Sequence, residues 1–182
     1  GDISSDCRIV VETFENGLGQ PFMVVQSPFG GRVNGPWGLA LASVIRDETG
    51  LDLEVQSGDD GILLRFEDEE GVFPLDFVRK LTPAEARERI LRELPGSAIF
   101  GARFRQNAAR ALLLPGNRPG KRTPFWLQRL RARDLLQAVK QFDDFPILVE
   151  TYRDCLEDVM DLPNLERVLE AVQQGEIKLD MV

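Results

Sequence analysis

The chain has no histidine among its 182 residues and only two cysteines, Cys7 and Cys155. Without an imidazole there is no Ser-His-Asp or Cys-His catalytic unit and no His-ligated metal site. That narrows the enzyme options sharply, and no catalytic or metal-ligating residue is assigned in this chain. Two cysteines far apart in sequence, in no CxxC arrangement, favour a reducing cytoplasmic setting over a disulfide scaffold. No apolar run approaches the roughly 20 residues that cross a bilayer, so no membrane partner is expected. The opening GDISSDCRIVVETF also lacks the basic start and apolar run of a signal peptide. The abrupt start and the apolar-alternating end, GEIKLDMV, read as a piece of something longer. At 43% hydrophobic and 29% charged residues, the composition is that of a soluble globular domain.

A further absence is local. From Ser97 to Arg133 there is no Asp or Glu, yet the stretch holds nine cations: Arg103, Arg105, Arg110, Arg118, Lys121, Arg122, Arg129, Arg131 and Arg133. The rest of the chain then has 13 basic and 30 acidic residues, a net of −17. Like charges packed together cost energy, and interspersed acids would relieve it. Their absence points to an external anion, first of all a nucleic-acid backbone. The competing account pairs these arginines with acidic segments of the same chain.

The present residues set out an α+β chain with a largely antiparallel sheet. RIVVETF (Arg8 to Phe14) and FMVVQS (Phe22 to Ser27) are β-rich runs around a turn, which predicts a hairpin. A helix follows, with Asn34 as a possible cap, Pro36 in its first turn and Gly50 at its end. LDLEVQS and GILLRFE form a second strand pair, with the tight-turn signal Asp60-Gly61 before the latter. Thr82-Pro83-Ala84-Glu85 is a capping box, with Ala86, Ile90 and Leu94 along one helical face. Pro95-Gly96 stops that helix and Ser97 can cap the next. Thr123 is placed to cap a helix starting at Pro124. Two more helices follow, one after Phe145-Pro146 with Cys155 on its core side and one over about Asn164 to Gln174, then an extended tail. The expected division is one domain over 1–182: a sheet-rich part at 1–80, a helical part at 81–174 and a final strand at 175–182.

GNRPGKRT (Gly116 to Thr123) has three residues between its glycines and Arg122 between Lys121 and Thr123, which breaks the phosphate-loop pattern. The acidic turn at Asp60-Gly61 misses an EF-hand because Gly58 offers no side-chain oxygen. The acidic run from Glu67 to Gly71 reads as a solvated loop. On the Thr123 helix, Ala132, Leu135, Leu136, Val139 and Phe142 share one arc at 100° per residue. Trp126, Leu130 and Arg133 lie outside it, with Arg129 at its edge. An aromatic set among arginines suits base stacking while the guanidinium groups hold phosphate; the alternative is a boundary core residue. SPFGGRVNGPW is a candidate docking loop, with Arg32, Asn34 and Trp37 as contacts.

QSPFGGRVNGPWGLAL, GDDGILLRF, FGARFRQNAARALLLP, PGKRTPFWLQRLRARDLL and FPILVETYRDCLEDVMDLP, in this order, resemble the DEAD/H-associated region of large helicase-related (Lhr) proteins. These are superfamily 2 ATP-dependent DNA helicases. The resemblance implies a secretion-chaperone-like strand-strand-helix-strand-strand-helix fold in the C-terminal part of a helicase core. It implies a 3′-to-5′ parent enzyme acting on single-stranded DNA or DNA/RNA hybrids. ATP and Mg would sit in RecA-like motor domains of the same polypeptide, which also carries a winged helix. Many relatives have a histidine where this chain has Gln26. No cofactor or catalytic group is expected in this fragment itself. The expected role is to guide the single strand, with Arg103, Arg105, Arg110, Arg118, Lys121, Arg122, Arg129 and Arg133 on phosphates and Trp126 as a stacking platform. The alternative role is a docking module for the motor domains or another partner.

Overall fold

The computed structural model describes residues 6–67, 76–114, 123–142 and 144–182. In chain order the elements are β1 (Arg8–Glu15), β2 (Pro21–Gln26), α1 (Gly31–Thr49), β3 (Leu53–Gly58), β4 (Gly61–Phe66), α2 (Asp76–Lys80) and α3 (Pro83–Glu93), then α4 (Ala98–Arg110), α5 (Phe125–Val139), α6 (Pro146–Arg153), α7 (Leu162–Gln174) and β5 (Lys178–Met181). A 3-10 turn (Leu94–Gly96) precedes α4, and a π-helical segment (Asp154–Val159) extends α6. The chain divides into two compact units, one of Gly1–Glu93 with Met160–Val182 and one of Leu94–Val159. The boundaries thus fall at 93/94 and 159/160, and α3 and α7 belong with the sheet.

In the sheet unit the strand order is β3-β4-β2-β1-β5. All pairs are antiparallel except β1 with β5, which run parallel from Arg8↔Lys178 to Val11↔Met181. The first hairpin turns on Asn16, whose Oδ1 accepts from the N–H of Leu18 and of Gln20 at 2.9 and 3.0 Å. The second turns on Asp59-Asp60 alone, with Gly58 opposite Gly61. Gly61 cannot be another residue there, because a Cβ would lie 2.3 Å from the Val25 carbonyl oxygen.

Alternate residues Met23, Val25, Ile62, Leu64 and Phe66 are buried. The helix layer comes from α1, which packs on β3 and β4 and on the other side meets α3 and α7. Gly38 makes the close approach to the sheet possible, since a Cβ would sit 2.9 Å from Val55 and 3.0 Å from Ile62.

Helix α1 begins three residues before the expected cap. Gly30, with φ 84°, occupies the N-cap, and Asn34 lies inside the helix. Asn34 is instead a buried staple. Its Nδ2 donates to the carbonyls of Ser27, Gly58 and Asp59 at 3.0, 2.9 and 3.2 Å, and its Oδ1 accepts from the Ser27 hydroxyl at 2.7 Å. Three carbonyls from outside the helix, those of Ser27, Gly58 and Asp59, hold that side chain in place of the helix terminus. Pro36 consequently falls within the helix and supplies no N–H to the Arg32 carbonyl four residues back. The N–H of Asp161 donates to that oxygen at 2.9 Å.

Helix α3 starts as its capping signal implies, the Glu85 N–H donating to Thr82 Oγ1 at 3.1 Å. It is tied to α1 by Asp47, which takes Arg89 at 2.8 Å and Arg92 at 2.6 Å. Hydrogen bonds from Arg92 and then Arg89 hold the Asp47 carboxyl below its ordinary pKa.

In the second unit, α4 buries Phe100, Phe104 and Ala108, and α5 buries Ala132, Leu136 and Val139. Phe142, expected on that apolar arc, is exposed, because α5 ends at Val139 before reaching it. Ser97 caps α4 by accepting from the Phe100 N–H at 3.1 Å. The residue before α5 is Pro124, and Gln128 Nε2 donates to the Thr123 carbonyl at 3.0 Å. Cys155 is fully buried, as its helical position implies. The π-helical geometry around it has no counterpart in the sequence reading.

Candidate nucleic-acid interface

Charge is partitioned between the two units. Leu94–Val159 holds eleven Lys and Arg and seven Asp and Glu, a net of +4 within a chain of net −8. In the sheet unit the cations are largely engaged. Arg8 pairs with Asp180, Arg46 with Glu93, Arg65 with Glu54, Lys80 with Asp76, Arg87 with Glu166, and Arg89 and Arg92 with Asp47. In the second unit, among the described residues, only Arg133 has a carboxylate within 4.0 Å, and that is its chain neighbour Asp134. Arg103, Arg105, Arg110, Arg129 and Arg131 form no salt bridge there.

The helices sort the expected contacts into two groups. Arg105 of α4 and Arg129 and Arg133 of α5 line a cavity of about 480 Å³, joined by Lys140 past the end of α5. Its other walls come from Pro95, Gly96, Ser97, Ala98, Gly101, Ala102, Ala132, Leu136 and Gln137, with no carboxylate among them. Four cations thus face an uncharged groove. Arg103 and Arg110 leave α4 on its other side, because residues two or five apart from Arg105 fall far around a 100° helix. Arg110 lines a separate cavity of about 280 Å³ with Asn107, Ala111, Ile147 and Glu150. Arg103 lies close enough to Cys155 to oppose the rise of its thiol pKa, which burial nonetheless lifts to about 11. Arg118, Lys121 and Arg122, together with GNRPGKRT up to Arg122, lie outside the described residues, as does the acidic run from Asp68 onward.

The aromatics divide likewise. Trp126 is 66% exposed and, among the described residues, makes no aromatic or cation–π contact. Phe125 sits beneath two guanidinium groups, Arg129 at 4.6 Å and Arg105 at 5.1 Å from its ring centre. Neither Phe125 nor Lys140 stands out in the sequence. The Phe125–Arg129 spacing of four is a helical neighbour pair and was open to view. The approach of Arg105 depends on how α4 packs on α5. Lys140 lies seven residues after Arg133 and shares its face, but falls beyond the acid-free stretch.

Of the three docking-loop residues, two are buried in the structure. Asn34 and Trp37 are both 0% exposed, one bonded to Ser27, Gly58 and Asp59 and the other in the core. A surface partner reaches neither. Arg32 is exposed at the first turn of α1.

Among the described residues, no helix is long and apolar enough to cross a membrane, and no group of three or more Cys, Asp or Glu is placed to hold a metal ion.

With this geometry in view, three relatives are informative. The chain is 44% identical over 183 residues to the Lhr helicase/uracil glycosylase of Escherichia coli (strain K12), covering 100% of this chain and 12% of that protein. It is 34% identical over 181 residues to the ATP-dependent helicase Lhr-Core of Methanothermobacter thermautotrophicus, covering 99% of this chain and 21% of that protein. The structure of Mycobacterium smegmatis helicase Lhr bound to ssDNA and AMP-PNP superposes with a TM-score of 0.87 at 41% identity, over 98% of this chain and 22% of that one. The chain therefore spans about an eighth to a fifth of the length of its relatives. Its α+β fold with a mostly antiparallel five-stranded sheet matches the corresponding part of that helicase. The DEAD/H associated family model matches residues 3–182, and the chain belongs to that family.

Proposed function

We propose that this chain is a non-catalytic, nucleic-acid-guiding part of an Lhr-type ATP-dependent 3′-to-5′ DNA helicase. It holds the backbone of a single strand of DNA, or of a DNA/RNA hybrid. The observation that carries the reading is the contrast between cations engaged by carboxylates in the sheet unit and those of the second unit, where among the described residues Arg103, Arg105, Arg110, Arg129 and Arg131 form no salt bridge. An unpaired guanidinium group beside others of its kind gains most from a polyanion. The similarity to a helicase bound to ssDNA supports the choice of polyanion. ATP and Mg belong on this reading to RecA-like motor domains, which with a winged helix are partners in a longer polypeptide. Arg105, Arg129 and Arg133 are the best placed contacts. Arg103 and Arg110 serve a second track, and Trp126 is free to stack on a base.

The test is fluorescence anisotropy of the chain with single-stranded, duplex and hybrid oligonucleotides at two ionic strengths. Arg129→Ala should flatten the log-log salt dependence by roughly one unit. An unchanged slope across Arg105→Ala, Arg129→Ala and Arg133→Ala rejects the reading.

A docking role has its own support. Phe14 and Phe22 stack at 5.3 Å on the sheet face opposite α1, where Val24 and Leu63 are also half-exposed. A surface of that kind suits packing against another domain. The two roles are compatible, since they use different units.

A further inference from the structure

Two of the cations lining the cavity between α4 and α5 share an uncharged neighbour. Phe125 opens α5 and keeps 56% of its surface exposed, far more than a core phenylalanine such as Phe100 or Phe104. Its ring lies beneath one guanidinium group from each helix, Arg105 from α4 and Arg129 from its own α5. Two cations brought to one ring repel each other. Among the described residues neither Arg105 nor Arg129 forms a salt bridge that would offset that repulsion. The negative face of the ring is the attraction that gathers them.

We infer that Phe125 is a positioning residue that presents Arg105 and Arg129 together, so that the α4–α5 groove seats adjacent phosphodiesters of one strand. This rests on the nucleic-acid reading above and specifies where and how the backbone is gripped. A free arginine side chain samples many rotamers, and each loses that freedom when it binds a phosphate. Holding two of them over one ring removes part of that loss before the ligand arrives. Arg133 and Lys140 continue the same side of α5, displaced from Arg129 by about 6 and 16 Å along the axis at 1.5 Å per residue. Cations at such intervals suit a stretched backbone running along the helix. Gly96, Ala98, Gly101 and Ala102 form the facing wall, so no bulky side chain obstructs the path.

The experiment compares the chain with its Phe125→Leu, Phe125→Tyr, and Arg105→Ala/Arg129→Ala variants. Single-strand affinity is read by anisotropy across a salt series, and the ring-current shifts of the Arg105 and Arg129 side-chain protons by NMR. Thermal melts confirm that each variant is folded. Phe125→Leu should weaken binding roughly fivefold or more at low salt and reduce the salt slope. It should also abolish both ring-current shifts, while Phe125→Tyr restores affinity and shifts. If the double arginine variant loses binding but Phe125→Leu retains it, the positioning role is overturned and the nucleic-acid reading stands. If the double arginine variant binds like the parent chain, or the parent chain does not bind, the nucleic-acid reading fails and takes this inference with it. Absent ring-current shifts in the parent chain would also reject the proposed clamp.

Discussion

Single residues carry much of the accuracy of this fold. Gly61 faces the Val25 carbonyl at a distance no Cβ tolerates. Gly61→Ala is expected to destabilise the chain by at least about 2 kcal/mol. That would appear in urea unfolding as a lower midpoint with unchanged slope. Cys155 gives a pH signature instead. Burial is the main cause of its raised pKa, and the nearby Asp154 adds to it. The unfolded thiol ionises near 9, whereas the folded one keeps its proton to about 11. Between those values the unfolded state binds fewer protons than the folded state. Stability is therefore full below pH 9 and falls by about 1.4 kcal/mol per pH unit as pH rises through the window. The difference in stability between the parent chain and Cys155→Ala should narrow between pH 9 and 11. A difference independent of pH would contradict this account. The glycine signal at Gly61 and the core placement of Cys155 were legible in sequence. The staple made by Asn34 was not, since the carbonyls it bonds come from loops far along the chain.

At the scale of elements, local chemistry and tertiary demand agree at most boundaries. Ser97 before α4 and Thr82 before α3 are the caps their positions announce. Ser97→Ala should cost about 1 kcal/mol. Because the capped turn also lines the α4–α5 cavity, single-strand affinity should fall along with the thermal midpoint. Ser97→Asp, which restores a cap, should recover the midpoint. Its added negative charge beside four cations should not recover affinity, which separates folding from binding. Helix α1 is where local rules mislead. Asn34-Gly35-Pro36 is a good helix start in isolation. It lies inside a helix here because Asn34 is claimed by neighbouring loops and the N–H of Asp161 takes the carbonyl that Pro36 leaves open. The β5 strand was anticipated as a final strand, but its partner β1 and its parallel direction come only from packing.

For the whole molecule the central fact is an acidic chain with a basic unit inside it. The net charge of −8 opposes the approach of any polyanion, while the second unit carries a net of +4. Glu48, Asp52 and Glu88 are exposed and form no salt bridge among the described residues. Replacing them by Gln, Asn and Gln should tighten single-strand binding at low salt by roughly two- to tenfold. The gain should vanish near 1 M salt, where screening acts within about 3 Å. A gain that survived high salt would indicate a direct contact in place of a long-range field.

Charge segregation, helix caps, tight turns and the order of strands and helices were all readable along the chain, because each depends on residues adjacent in sequence or on simple periodicity. Tertiary packing alone decided which arginines share a groove. Helical periodicity already puts Arg103 and Arg105 on opposite sides of α4, but that Arg105 and Arg129 meet over Phe125 from separate helices is a product of packing. Composition reveals how much charge a stretch carries, and periodicity which side of a helix carries it; only the packing of α4 on α5 determines which guanidinium groups face one another.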